Sequence, residues 1–320
     1  MNVANVVGFR WHASHFSQES PLLKELGKIL AYFIAVIVLG ALLAPPLYWA
    51  GQALAGCGIL RFLADTDFQK FFNRAMLVSA LALLWPVVRW LQIGGWSALG
   101  LDPNSARWRH VAGGFAIAGF FVAVMAGCYV AGDVYRWKKV LPWGSTVPLF
   151  FSAFFVAALE EGLFRAGILG LFRRTLPAGV AIAITAAIFS SVHFLKPDDS
   201  VQVTHVTWTS GFELVPHVFH RFTEPMELLS GFTTIFVLGL MLADVTVRTR
   251  SIWMAIGLHA GVVFVKMSFS KFTKRDAAHL PWIGEELQLG LVPVGALLLA
   301  WLVARVWLNY VDPRRNPAHH

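Results

Sequence analysis

Apolar residues gather into eight long runs, separated by shorter polar stretches, at approximately 29–50, 75–92, 111–131, 147–172, 177–195, 228–247, 252–268 and 289–309. Most approach the roughly 20 residues that an α-helix needs to cross the hydrocarbon of a bilayer. Lipid offers no partners for backbone N–H and C=O groups. Unbroken runs of Leu, Ala, Val and Phe must therefore satisfy these groups within their own segment, as helices. The expected fold class is all-α: a polytopic membrane helical bundle with about eight transmembrane helices. The run at 252–268 is short and the one at 147–172 is long. Pro45-Pro46 and Pro86 are expected to kink or end their helices, and Pro177 suits the first turn of the fifth.

Composition supports a membrane protein. The 320 residues are 57% hydrophobic and 14% charged, against roughly 25% charged in soluble domains, and the mean hydropathy is +0.62. The net charge of +8 belongs to loops that orient helices and meet anionic headgroups. The chain has no nucleic-acid motif, and no nucleic-acid partner is expected. Two cysteines, Cys57 and Cys128, make neither a disulfide framework nor a metal motif. The 13 tryptophans suit interfacial belts better than a cofactor box.

Residues 1–28 read as a polar N-terminal segment, 29–309 as one integral membrane domain and 310–320 as a C-terminal tail. The run at 29–50 is too long for a signal-peptide core and reads as a retained helix. Eight spans place both termini on one side. Short connectors carrying Arg107, Arg109, Arg173, Arg174, Arg248 and Arg250 make that side the cytoplasm. The long connection 196–227 holds Asp198, Asp199, His205, His217 and His220. It reads first as an exposed loop with surface histidines and second as a lid.

The fourth run contains "AALEEGLFRAG", Ala157 to Gly167. Each charge near the centre of a span costs roughly 3 kcal/mol on insertion scales, so Glu160, Glu161 and Arg165 need partners or a wet cavity. Glu161 and Arg165 stand four apart, share a helical face and can pair. Glu160 is turned about 100° from Glu161 and is free for chemistry. Asp244, the remaining intramembrane acid, is placed to pair with Arg248 one turn on.

Two histidines stand ready to meet Glu160. In "AAIFSSVHF", Phe189 lies four residues before His193, so the ring walls the imidazole. Small residues, Gly179 to Ser191, line that helix and favour close approach. In "SIWMAIGLHAGVVF", His259 is flanked by Gly257 and Gly261. A lone membrane histidine is usually a packing residue, and a Glu–Arg pair is often a structural lock. A carboxylate and two imidazoles on three neighbouring helices are a different matter. Glu160 can serve as general base on water, with one histidine positioning it and the other donating to an oxyanion. Alternatively, Glu160, His193 and His259 can ligate Zn²⁺. Both arrangements hydrolyse a peptide bond.

The order Glu160-Glu161-x-x-x-Arg165, Phe189-x-x-x-His193 and His259 in a Ser-Ile-Trp-x-x-x-x-Leu-His context resembles the CPBP family. These are the CAAX prenyl endopeptidase and bacteriocin-processing proteins, glutamic-type intramembrane proteases. The resemblance covers roughly 145–268, a protease-like core. It implies Glu160 as the base, His193 as the residue that holds the water and His259 at the oxyanion site, with Glu161, Arg165 and Phe189 supporting. It implies a metal-free mechanism, no cofactor, a membrane-associated protein or peptide substrate in the lipid bilayer, and a bacterial inner (plasma) membrane. The prenyl endopeptidases carry an asparagine four residues after the third-motif histidine, where this chain has Val263. Two other readings stand beside it. One is a non-catalytic scaffold or chaperone binding a partner through the same cavity. The other is a proton-coupled transporter, disfavoured by the lack of paired inverted repeats.

Overall fold

A computed structural model describes residues 21–90, 105–195, 201, 203–276, 281–284 and 286–311. Helices dominate. In chain order they are α1 (Pro21–Gly56), α2 (Phe68–Trp90), α3 (Arg107–Ala131), α4 (Thr146–Glu161), α5 (Ala178–His193), the short α6 (Ser210–Leu214), α7 (Thr233–Thr249), α8 (Trp253–Phe272) and α9 (Val292–Val311). Strands β1 (Tyr135–Trp137) and β2 (Thr273–Arg275) pair antiparallel. Each of the eight apolar runs overlaps one of these helices.

Six helical segments, among the described residues, are long and apolar enough to cross a membrane; α4 reaches that length only as part of Trp143–Phe172 and α7 only as part of Leu228–Thr249. Helix α5 is short, at 16 residues, and α2 carries Gln69, Lys70, Asn73, Arg74 and Arg89. Length and composition alone therefore do not reach the expected count of about eight. The outer faces fit a bilayer. Leu30, Ile34, Val38 and Leu42 recur at helical spacing along α1 and point outward, as do Val147, Phe151 and Phe155 on α4. Charges on the outer face would be costly there, and apolar side chains are not. The chain is an integral, multi-pass membrane protein.

Helix α1 includes Pro21 to Lys28, ahead of Ile29, and runs through Pro45 and Pro46 instead of ending there, as α2 runs through Pro86. Proline lacks the N–H that would bond the carbonyl one turn back. At Pro45 that carbonyl is Ala41, and Gly211 of α6 lies directly against it, where any Cβ would collide. The connection expected as an exposed loop is thus partly a folded layer. Leu214 and Val218 pack with Ala41, Ala44, Phe68, Phe72 and Ala75, while His205, His217 and His220 are exposed. Asp198 and Asp199 lie outside the described residues.

Helices α3 and α8 cross backbone to backbone. A Cβ on Gly114 would meet the Met254 carbonyl at 2.7 Å, and one on Gly261 the Phe115 carbonyl at 2.6 Å. Small residues at a crossing let membrane helices approach closely, and this crossing fixes His259. Asp244 bonds Arg248 Nε at 2.8 and 2.9 Å and also accepts from Trp301 Nε1 at 2.8 Å. The expected local pair therefore also ties α7 to α9.

Candidate active site

Helix α4 delivers both glutamates in its last turn and then changes geometry. Gly162–Leu169 form a π-helix, a rare local widening found mostly at functional sites. Sequence spacing gives no sign of it beyond the two glycines, Gly162 and Gly167. Two carboxylates that are neighbours in sequence enter different surroundings.

Glu161 is fully buried. Its Oε2 lies 3.1 Å from Arg165 Nε, both side chains at 0% exposure. Its Oε1 accepts from His259 Nδ1 at 2.8 Å. Arg165 also donates Nη2 to the Gly239 carbonyl at 3.3 Å and lies over the Phe189 ring, 4.4 Å from its centroid. The expected Glu161–Arg165 pair therefore has a second duty, holding an imidazole from α8. That link joins residues 98 apart, and local spacing cannot reveal it.

Glu160 turns the other way. Its Oε2 lies 3.4 Å from His193 Nε2 and 3.8 Å from His259 Nε2. Both distances exceed an ordinary hydrogen bond, and that oxygen accepts no protein hydrogen bond. The tautomers follow from the partners. His193 Nδ1 lies 2.8 Å from the Phe189 carbonyl, which can only accept, so Nδ1 carries a proton. His259 Nδ1 likewise donates to Glu161. Both rings thus present Nε2 to the same carboxylate oxygen. Phe189 separates them from Arg165, its centroid 4.4 Å from the His193 ring and 5.9 Å from the His259 ring.

Two cavities meet at His193. One, about 270 Å³, is bounded by α1, α2, α4 and α5. Tyr32, Phe33, Met76, Ala80 and Leu84 make it apolar, with Glu160 and His193 in its wall. The other, about 330 Å³, is lined by His193, His259, Val263, Thr234 and Leu238. It also includes Lys266, whose Nζ lies 3.1 Å from Glu286. Lys266 follows His259 by seven residues on the same helix, a spacing that could have flagged it. Val263 lies between them and presents no donor. Among the described residues, no group of three or more His, Cys, Asp and Glu side chains is placed to hold a metal ion.

Residues 142–265 match the family described as type II CAAX prenyl endopeptidase Rce1-like. That span contains Glu160, Glu161, Arg165, Phe189, His193, His259 and Val263. No curated protein and no solved structure matches the chain.

Proposed function

We propose, from a chain whose residues 142–265 match the type II CAAX prenyl endopeptidase Rce1-like family, that this protein hydrolyses a peptide bond in a membrane-associated or lipidated protein of the bacterial inner membrane. The observation that carries the proposal is one carboxylate oxygen facing two imidazole Nε2 atoms where two cavities meet. A water molecule donating one hydrogen to Glu160 and the other to His193 Nε2 is oriented for attack. Glu160 takes its proton as oxygen bonds to the scissile carbonyl carbon, and later returns it to the leaving amine. His259 serves the oxyanion in its protonated form, with Nε2–H donating to the oxyanion while Nδ1–H stays with Glu161. Only residues of the chain take part in these steps.

The apolar cavity beside Glu160 suits a lipid-like or apolar part of the substrate, and the cavity ending at Lys266 suits a more polar part. The test is cleavage of fluorogenic lipidated peptides by the purified protein, with Glu160→Ala as the comparison. The general base contributes on the order of 10²–10⁴ in rate, so the variant should lose that factor while remaining folded. Equal rates would remove Glu160 from the mechanism. Val263 favours a second reading, a scaffold of the same fold that binds a partner in the same cavities. In that case neither protein turns over any peptide, and Glu160→Ala weakens binding.

A further inference from the structure

A third groove lies on the outside of the bundle, on the face of α8 turned away from Glu160. It encloses about 560 Å³ between α3 and α8, with Ala126 and Gly127 on one wall, Phe264 and Phe269 on the other, and Trp137 and Trp143 at its end. The two indoles are 56% and 69% exposed. Amphipathic rings of this kind sit at headgroup level in membrane proteins.

The β1–β2 pair concentrates basic residues at that same end. Lys138 N–H donates to the Phe272 carbonyl at 2.9 Å, which brings Lys138 and Lys139 alongside Lys271 and Lys274. Two of the nearby cations are already engaged. Arg136 pairs with Asp276, and Lys138 Nζ donates to the Lys271 carbonyl at 2.8 Å, at the negative end of α8. Lys139, Lys271 and Lys274 are exposed, and no carboxylate pairs with them among the described residues. An apolar groove therefore ends, at a tryptophan belt, in unneutralised ammonium groups.

We propose that this groove is a binding site for an anionic phospholipid. One acyl chain lies between α3 and α8, and the phosphate sits among Lys139, Lys271 and Lys274. The charge confined to one end selects this occupant: a second apolar helix would fill the groove but leave the lysines unneutralised. The site is independent of the peptidase reading, and its test reads lipid binding instead of turnover.

The full-length protein, purified in detergent, is titrated with dioleoyl phosphatidylglycerol or dioleoyl phosphatidylcholine and followed by native mass spectrometry and thermal unfolding. Phosphatidylglycerol should bind on the order of 10-fold more tightly and raise Tm. The triple variant Lys139→Gln/Lys271→Gln/Lys274→Gln should lose that preference and keep its lipid-free Tm. Gly127→Leu, at a position where a Cβ meets open space, should weaken binding of both lipids. Equal affinity for the two lipids, a preference surviving in the triple variant, or the same Tm shift from glycerol phosphate alone overturns the proposal.

Discussion

The two sides of the Glu160–Glu161 step are built on opposite principles. On the α7–α8 side, Glu161, Arg165 and His259 have side chains 0 to 3% exposed, and Glu161 engages both of the others. On the α1–α2 side, Glu160 and His193 have side chains 30% and 31% exposed, face each other at 3.4 Å and back onto a cavity. The closed side meets the cost of burying charge by setting Glu161 against two partners, Arg165 at 3.1 Å and His259 at 2.8 Å. The open side sets its carboxylate oxygen against two imidazole nitrogens, at 3.4 and 3.8 Å, and beside a cavity. A reactive group needs to be held but not satisfied, and adjacent residues on one helix divide those two requirements between them.

The sharpest way to break this contrast is Glu161→Ala. It leaves a buried guanidinium without its counter-charge and should cost about 3–5 kcal/mol, seen as a large fall in Tm and folded yield in detergent. Removing the cation as well, in Glu161→Ala/Arg165→Met, should recover much of that stability. Activity should stay lost in the double variant, because His259 Nδ1 no longer has its acceptor. If Glu160→Ala destabilised the protein as much as Glu161→Ala, the division between the two glutamates would be false.

Helical spacing made part of this site legible. Glu161 with Arg165, Phe189 with His193 and Asp244 with Arg248 are all four residues apart, and a helix brings such pairs together whatever the tertiary fold. The glycines around His259 signalled a close crossing, although they could not name α3 as the partner. Contacts between distant segments stayed hidden, namely His259 with Glu161, Arg165 with the Gly239 carbonyl and Lys266 with Glu286. They depend on how helices are arranged, and no local pattern encodes that. The π-helix at Gly162–Leu169 was missed because its residues, Arg165 apart, are apolar, and nothing in their spacing departs from an ordinary helix. The folding of 210–223 against α1 was missed because it rests on contacts between distant segments, Gly211 against the Ala41 carbonyl and Leu214 and Val218 against Ala44 and Phe72.

The open side can be tested without touching the charges. Ala80 on α2 lines the apolar cavity beside Glu160 and is part-buried. Ala80→Phe fills space that the proposed substrate needs. Changes of this size in an apolar pocket shift kcat/KM by roughly 10-fold or more. The effect should fall mainly on KM for lipidated peptides, with Tm close to wild type. An unchanged KM would place the apolar part of the substrate elsewhere.

The smallest effect is expected at Val263, and its sign carries the information. The residue lies four positions after His259 and lines the cavity shared by both histidines. The prenyl endopeptidases that the motifs resemble have an amide-bearing asparagine there. If His259 acts on the oxyanion alone in this chain, Val263→Asn adds a second donor beside it. Loss of one donor from an established oxyanion site costs roughly 10²–10³ in kcat. A donor newly placed on an unadapted wall should recover only a fraction of that, a rise of about 3- to 10-fold in kcat with KM unchanged. A fall in kcat would show instead that the apolar wall is part of the fit to substrate. Under the scaffold reading there is no turnover for either residue to change, so this one substitution separates the two readings by the kind of signal it produces.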